Sequence, residues 1–368
     1  MKINKKTFAV LSLTAVFAAS SLFTSCNDLA DDVKVEPSDW SEGKMTTSAY
    51  LMSSIGPNKY IESDALHLSY SEDGLTWTTL NSNEPVFTST IGSCHFRDPC
   101  IFRLNDGSFV LLAADFTQSG KYWDLGSRSD VNNYWNHPSN CIIVAFSDDL
   151  VNWKNEHKLQ ITNATGTDGA TRHVWTPRAM YNKQYKCYDI YWVGDNNDGT
   201  NMVYVSQTYD FYSVKSLSPE LIYSPGYSVT AAYIVKDSDY YLFARDADKN
   251  YATFKGGDIQ VASTDSWGNH FNRISDRYIN RVSDQLSVEY VEYPCVFKLE
   301  DDATWVMIVN QENSPTTWST YATTDISDNS SWVEASSLGL SFTLPDSNID
   351  ASVCRITEDE LNTLIAAF

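Results

Sequence analysis

Short runs of apolar residues that end in Ser/Thr-x-Asp recur along the chain and give it a regular period. The five copies begin at Ser71, Ser147, Thr208, Ser263 and Thr323, and successive copies stand 55 to 76 residues apart. This period fits four short strands with their loops. An Asp in such a turn can accept hydrogen bonds from backbone N–H groups two residues on. The pattern predicts an all-β fold, a propeller of five four-stranded blades.

Three of the repeats also open alike, with polar residues and a proline in front of an apolar strand. The openings are Arg97-Asp98-Pro99, Trp175-Thr176-Pro177 and Glu292-Tyr293-Pro294. Proline suits the first residue of a strand because it has no N–H to give to the ladder. Second apolar strands are expected in four repeats, over residues 109–114, 188–193, 240–244 and 305–309.

The two ends of the chain are expected to complete the fifth blade together. Residues 348–354 resemble a first strand without later partners, so these partners must be residues 48–54 and 65–71 near the N-terminus. Closing the ring in this way removes exposed strand edges. Thr357 and Glu360 have the spacing of a capping box that opens a short helix over residues 361–368. Residues 46–368 are thus predicted to form one propeller domain.

The direction of the strands places the candidate chemistry on one face of the disc. In each blade the first strand starts at that face and the second strand returns to it, so Asp98 and Glu292 share the face. The ends of the second strands lie there too: Asp115, Asp195, Asp246 and Asn310. Two carboxyl groups across a pocket are the minimum equipment for acid/base cleavage of a glycosidic bond.

Residues 1–26 are predicted to be a lipoprotein signal segment. Lys2, Lys5 and Lys6 precede an apolar run over residues 8–23 that is short for a bilayer span, and Cys26 follows it. Cys26 is expected to carry the lipid, and residues 27–45 to form a polar tether. This organisation resembles the lipoproteins of Bacteroidota. It predicts a protein of the cell envelope that meets the membrane only through its anchor.

The acidic composition narrows the range of partners. The formal net charge is −21, and it becomes −24 without the three lysines of the signal segment. Nucleic acids require a basic patch, so they are excluded, and strongly acidic polysaccharides are disfavoured. Aromatic residues make up 13% of the chain and suit a surface that stacks on sugar rings. A neutral carbohydrate is the expected ligand, and the protein is expected to be a monomer.

The order and spacing of the motifs resemble glycoside hydrolase family 43, whose members are five-bladed propellers that cleave arabinose- and xylose-containing glycans with inversion. The resemblance covers roughly residues 48–368 and rests on the three proline openings and on the turn over residues 147–153. It implies that Asp98 is the general base and Glu292 the general acid. It also implies an α-L-arabinofuranosidase or β-xylosidase that acts on plant-type polysaccharide.

Further residues near the same face are candidates for holding the sugar. They are Phe96, Arg97, Asp115, Trp175, Arg178, Arg245, Asn310 and Trp318. No cofactor is required for this chemistry. The six cysteines besides Cys26 do not have the spacing of a zinc site, and no metal-ligating residues are expected. The resemblance allows a structural calcium ion in the central channel.

Two positions depart from the pattern of the family. The acid that follows the middle proline and tunes the general acid is replaced by Arg178, and a second acidic position is Thr230. A positive charge close to Glu292 would favour its ionised form and weaken it as an acid. Asp195 or Asp246 could take over the tuning. The alternatives are a glycan-binding pseudoenzyme of the same fold, or another five-bladed sugar enzyme such as a fructan hydrolase or a glycan phosphorylase.

Overall fold

The computed structural model contains five four-stranded antiparallel sheets among its described residues. It describes residues 47–56, 64–115, 139–163, 173–195, 199–246, 259–264, 272–278, 291–311 and 314–368. The predicted signal segment with Cys26 and the predicted tether lie outside these residues. The helices within them are too short and too polar to span a lipid bilayer.

The strands follow the chain blade by blade. The N-terminal strands are β1 (Ala49–Ile55), β2 (His67–Ser71) and β3 (Thr78–Thr79). Blade 1 contains β4 (Arg97–Arg103), β5 (Phe109–Ala114), β6 (Cys141–Ser147) and β7 (Lys154–Gln160). Blade 2 contains β8 (Trp175–Asn182), β9 (Cys187–Asp195), β10 (Asn201–Thr208) and β11 (Glu220–Tyr223). Blade 3 contains β12 (Val229–Lys236), β13 (Tyr240–Asp246), β14 (Ile259–Thr264) and β15 (Asn272–Tyr278). Blade 4 contains β16 (Val291–Lys298), β17 (Trp305–Gln311), β18 (Ser314–Thr323) and β19 (Val333–Glu334). The last elements are β20 (Ile349–Ile356) and the helix α1 (Glu358–Ala367).

The fifth blade joins the two ends of the chain, as predicted. Its strand order is β20-β1-β2-β3, with β20 antiparallel to β1. The capping box that opens α1 is also confirmed, since Thr357 accepts from the N–H of Glu360 and Glu360 accepts from the N–H of Thr357. Arg103 of β4 forms an ion pair of 2.6 Å with Glu360. The helix is thereby tied to blade 1, next to the seam.

The turns after the third strands have the geometry that the repeat predicts. Asp73 Oδ1 accepts from the N–H groups of Leu75 and Thr76 at 2.8 and 2.7 Å. The same type of bond occurs at three further copies, at Asp149, Asp210 and Asp325. The copy at Asp265 lies outside the described residues. These aspartates stabilise turns and are not candidates for catalysis.

The first strands of the five blades form a closed ring at the centre of the molecule. Each one contacts the first strands of its two neighbours, in the order β4, β8, β12, β16, β20 and back to β4. The second strands lie behind them and are deeply buried, and every residue of β5 and of β9 is buried. The apolar core therefore surrounds the axis, and the strand openings of all five blades converge there.

Every first strand opens with the same distortion. A bulge interrupts the pairing with the second strand over residues 97–100, 175–178, 230–233, 292–295 and 349–352. One residue in each bulge has a left-handed backbone: Asp98 (φ 54°), Thr176 (φ 46°), Ala231 (φ 54°), Tyr293 (φ 54°) and Asp350 (φ 58°). A bulge bends a strand and re-aims its side chains. The five openings therefore present a ring of corresponding side chains.

Candidate active site

The carboxyl group of Asp98 is buried inside the ring of strand openings. Its side chain is 3% exposed, and Oδ2 accepts a hydrogen bond of 2.9 Å from the N–H of Thr176 in the next blade. Asp350, the corresponding residue of blade 5, lies beside it and accepts from the backbone N–H of Asp98. Arg97 holds Asp350 through Nε and Nη2, each 3.0 Å from Oδ2. Three ionisable side chains from two blades are thus packed together.

This environment raises the pKa of Asp98 to about 7. Burial is the largest cause, and the neighbouring charge of Asp350 adds to the rise. Arg97, the N–H of Thr176 and Arg178 act in the opposite direction. Burial also raises the pKa of Asp350. One proton shared by the two carboxyl groups is the expected state near neutral pH, because two buried carboxylates in contact repel each other.

The Tyr293 phenol is influenced by the charges of both predicted catalytic residues, Asp98 and Glu292. Burial raises the pKa of the Tyr293 phenol well above its ordinary value, and the nearby charges of Asp350, Glu292 and Asp98 raise it further. Arg97 opposes this rise. The phenol therefore lies within electrostatic reach of both predicted catalytic carboxyls. The fold brings together two residues that are nearly two hundred positions apart in the chain.

Glu292 contacts an arginine in the adjacent blade. Its Oε1 accepts a hydrogen bond from Nη1 of Arg245, which is buried at the end of β13, while the Glu292 side chain is 22% exposed. Thr230 pairs with Arg245 across β12 and β13, and Asn310 pairs with Glu292 across β16 and β17. A guanidinium favours the ionised form of a carboxyl that it contacts. These contacts favour a proton on Asp98 and a charge on Glu292, the reverse of the roles that the resemblance implies.

Arg178 does not supply the positive charge at Glu292. It is 3% exposed, its guanidinium lies 4.5 Å from the centre of the Tyr233 ring, and Nη2 donates a 3.3 Å hydrogen bond to the carbonyl oxygen of Ala351. The expected effect of a cation on Glu292 therefore arises from Arg245. Arg178 acts on Asp98 instead, whose pKa it lowers.

The family described as "Probable glycosyl hydrolase domain", of the glycoside hydrolase 43-related type, matches residues 46–362. The chain belongs to this family. Together with the five blades and their closure, the match confirms the resemblance to glycoside hydrolase family 43. A comparison with curated proteins found no match.

Solved structures of family 43 proteins share the fold of this glycosyl hydrolase domain. An endo-1,4-β-xylanase from Bacteroides thetaiotaomicron superposes with a TM-score of 0.51 at 13% identity, over 84% of this chain and 94% of that one. A β-1,3-galactosidase solved with galactodeoxynojirimycin gives 0.50 at 11% identity, over 75% and 88%. A family 43 protein from Bacillus licheniformis gives 0.50 at 11%, over 79% of this chain but 53% of its own. This chain thus spans about half the length of some relatives.

Trp175 lies at the opening of blade 2 beside a histidine held by Asp195. The His173 and Trp175 rings stack face to face, 5.0 Å apart and inclined by 3°. Asp195 accepts from the backbone N–H of His173 at 2.7 Å and contacts its Nδ1 at 3.1 Å. The half-buried indole is therefore held in one orientation. The structure gives Asp195 a role in placing this aromatic pair.

Several predicted sugar-binding residues have contacts of another kind. Phe96 has no exposed surface and stacks on Phe87 in the core, so its ring cannot contact a sugar. Asp115 accepts from the N–H of Ser93 and the hydroxyl of Ser139 and pairs with Lys158. These contacts join a loop to the outer edge of blade 1.

The remaining predicted residues lie at the ends of second strands or beyond them. Asn310 is buried and donates to the carbonyl oxygen of Asn348 at 3.4 Å. Asp246 is buried opposite Val229. Trp318 donates from Nε1 to the carbonyl oxygen of Pro345 at 2.7 Å and lines an outer groove of about 640 Å³. Within the described residues, the structure does not bring Trp318 into contact with Asp98, Asp350 or Glu292.

Two members of the site were missed by reasoning from the sequence. Asp350 pairs with Arg97 and shifts the pKa of Asp98, and the Tyr293 phenol is within electrostatic reach of both predicted catalytic groups. A signal for Asp350 was available, since residues 348–354 are predicted as a fifth first strand and its third residue corresponds to Asp98. Tyr293 stands between Glu292 and Pro294 in the motif itself.

Proposed function

We propose that this glycosyl hydrolase domain is an inverting glycosidase in which Asp98 is the general base and Glu292 the general acid. The observation that carries the proposal is the position of the Tyr293 phenol within electrostatic reach of both carboxyls. An inverting pair stands about 6.5–9.5 Å apart, so that a water molecule fits between the base and the sugar. Two carboxyls that both act on one buried phenol lie in the same part of the molecule, as such a pair requires.

The proposed reaction requires a defined movement of protons. Asp98 in its ionised form removes a proton from water as the water oxygen attacks the anomeric carbon. Glu292 in its protonated form donates its proton to the departing glycosidic oxygen. A base works best when its pKa is near the operating pH, and the pKa of Asp98 is about 7. Hydrolysis should therefore increase as the pH rises towards and just beyond 7.

Glu292 needs a change at Arg245 before it can act as an acid. In the unliganded chain Arg245 donates directly to Glu292, which favours the ionised carboxylate. We propose that a bound sugar draws the guanidinium away from Glu292 by offering it a hydroxyl oxygen. Glu292 then takes up a proton in a site from which the sugar excludes water.

The proposed substrate is a neutral plant-type glycan with terminal arabinofuranosyl or xylosyl groups. The net charge of −21 disfavours acidic glycans, and the flat His173–Trp175 pair offers an apolar face for a sugar ring. The relatives of the same fold include a xylanase and a galactosidase, so the fold alone accommodates different sugars. The choice of a pentose therefore rests on the resemblance of the motifs.

Hydrolysis of aryl glycosides tests the assignment. Aryl α-L-arabinofuranoside, β-xyloside and β-galactoside and arabinoxylan are incubated with wild type, Asp98→Asn and Glu292→Gln, with and without phosphate. Each substitution should lower kcat by about 10²–10⁴-fold, and NMR of the first product should show the inverted anomer. Asp115→Asn is the matched control, because Asp115 has its own partners at the blade edge. Equal turnover by wild type and both site variants would contradict the proposal.

One observation favours a second candidate, a glycan-binding protein without turnover. The Arg245–Glu292 pair would persist in such a protein and keep Glu292 ionised, so that it has no proton for the departing oxygen. It predicts that arabinoxylan oligosaccharides bind wild type and Glu292→Gln with measurable affinity in calorimetry, while no aryl glycoside is cleaved. Turnover that depends on phosphate would instead indicate a glycan phosphorylase.

A further inference from the structure

The Arg178 side chain lies on the axis of the propeller. Its electrostatic neighbours are Cys100 of β4, Tyr233 of β12 and Cys295 of β16, and it donates to the carbonyl oxygen of Ala351 in β20. Arg178 itself belongs to β8. One guanidinium thus reaches the first strands of all five blades, and only a group at the centre of the ring can do so.

The charge of Arg178 has no contact with a carboxylate among the described residues. Its immediate neighbours are neutral thiols and phenols, and Nε and Nη1 are buried without a hydrogen-bond partner in the described part of the chain. A buried charge that is not paired is costly, and apolar replacements of buried charges are often neutral or stabilising. Packing alone therefore gives no reason for an arginine at this position.

Asp98 is the carboxyl on which this charge acts. The groups that face Asp98 are Asp350 from blade 5, Arg97 from its own strand, the N–H of Thr176 from blade 2 and the Tyr293 phenol from blade 4. Arg97 is engaged by Asp350. Arg97 opposes the burial of Asp98 as well, but Arg178 is the cation that has no carboxylate contact of its own among the described residues.

The residues around Arg178 show whether the central channel fits the calcium ion that the family resemblance allows. The residues that follow the five bulges are Cys100, Arg178, Tyr233, Cys295 and Ser352. Calcium takes several oxygen ligands, with carboxylates foremost. This ring contains a permanent cation and two thiols, so it does not fit calcium. The described residues also contain no group of three or more His, Cys, Asp or Glu side chains placed to hold a metal ion.

We propose that Arg178 is a built-in axial cation, which stabilises the ionised form of Asp98 and takes the place of a metal ion in the channel. The use of Asp98 as a base rests on the proposed function. The electrostatic effect itself does not, because it concerns the ionisation of Asp98 in the unliganded protein. Arg178 is thus a positioning residue that acts through Asp98.

A carboxyl NMR titration measures this effect without any turnover. The protein is labelled with ¹³C at the aspartate carboxyls, and the Asp98 resonance is assigned by its loss in Asp98→Asn. In Arg178→Met and Arg178→Gln the titration midpoint of Asp98 should rise by about one pH unit relative to wild type. Arg178→Lys retains the charge and should keep the midpoint nearer to wild type. A midpoint that is the same in all four proteins would overturn the proposal.

Asp189 provides an internal control in the same spectra. It is buried in blade 2, where Asn182 and Gln207 donate to its carboxylate at 2.6 and 2.8 Å. Its resonance, assigned with Asp189→Asn, should be unchanged by the Arg178 substitutions. Movement of both resonances would indicate a general rearrangement and would count against a specific effect on Asp98.

Calcium binding to the wild-type protein tests the second half of the proposal and does not depend on the folding of any variant. Titration of CaCl₂ into wild type should give no heat of binding, and EDTA should leave Tm unchanged. Calcium that binds wild type and raises its Tm would overturn the proposal, whatever the Arg178 variants do. If the domain hydrolyses none of the glycosides, the NMR and calcium results still decide this inference.

Discussion

The protonation state of Asp98 depends strongly on the groups that surround its carboxyl. Its carboxyl is held by a backbone N–H of the next blade and lies between two arginines and a second carboxyl. Burial and Asp350 disfavour the charge, whereas Arg97 and Arg178 favour it. The balance leaves a pKa of about 7. The protonation state of the residue can therefore change within the physiological range of pH.

This shift predicts a pH-dependent stability that Asp98→Asn should remove. The folded-state pKa of about 7 exceeds the ordinary value of 3.8, so the folded protein holds the proton more tightly than the unfolded chain. The resulting stabilisation is full below pH 4 and is lost as the pH rises to 7. Relative to wild type, Asp98→Asn should therefore gain up to about 4 kcal/mol in free energy of unfolding between pH 4 and 8, and less where Asp350 takes up the proton. Urea unfolding across this range measures the difference.

Asp149→Asn is the control of opposite sign. Hydrogen bonds to Asn152 and Val151 outweigh burial and lower the pKa of Asp149 to about 2. Its stabilisation is complete above pH 4 and is lost only as the pH falls through 2. The difference between this variant and wild type should be constant from pH 5 to 8. A constant difference for Asp98→Asn as well would mean that Asp98 is not protonated in the folded state.

The contact between Arg245 and Glu292 predicts a separate effect, on the alkaline side of the dependence of activity on pH. Its guanidinium donates to Glu292, and removal of this charge should favour the protonated acid. In Arg245→Met the basic limb of kcat/KM against pH, which reports the free enzyme, should therefore move up by about one pH unit. Arg245→Lys preserves the charge and should leave the limb near its wild-type position. A basic limb that does not move in Arg245→Met would exclude Glu292 as the group that titrates there.

At the scale of elements, the second strands were predicted more completely than the openings of the first strands. The sequence predicted β5 residue for residue, and the apolar parts of the other second strands, because an apolar run bounded by turn residues is a local signal. It could not predict the five bulges, since a bulge is a relation between two strands. The bulge places Asp98 and Asp350 at corresponding positions and turns Arg178 to the axis. Arg178 was thus identified as unusual, but its neighbours were not predicted.

The contacts of single side chains were the hardest to derive. Asp98 and Glu292 could be brought to one face because strand direction follows from the repeat. The partner of Glu292 depends on the twist between blades 3 and 4, which no local pattern contains. Phe96 directly precedes Arg97-Asp98-Pro99 in sequence and yet packs wholly into the core with Phe87. Proximity along the chain was therefore a poor guide to contact with a sugar.

At the scale of the whole molecule, closure depends on strands from both ends of the chain. β20 supplies the inner strand of the fifth blade and also carries Asp350, while β1 and β2 supply the next two strands. The ring of first strands is complete only when β20 lies between β16 and β4. The fold and the candidate site thus depend on the same strand.

Truncation separates the contribution of β20 from that of α1. A chain that ends at Asn348 lacks β20 and should not fold cooperatively, because β1, β4 and β16 lose their common neighbour. A chain that ends at Thr357 keeps β20 and should retain its β-sheet circular dichroism with a lowered Tm, since it loses Leu361, Leu364 and the Arg103–Glu360 pair. Cooperative melting of the shorter chain would contradict the role of the seam.

The position of Arg178 at the centre of the ring has a consequence for how sugars would enter and leave the proposed site. Arg178 belongs to β8, donates to β20, lies over the Tyr233 ring of β12 and is within electrostatic reach of β4 and β16, so its side chain occupies the centre of the ring. In the proposed reaction, a glycan would then enter and both of its fragments would leave at one face of the disc. In the proposed release of a terminal sugar, the monosaccharide therefore leaves by the face at which the next glycan enters. Accumulated monosaccharide should consequently compete with fresh substrate.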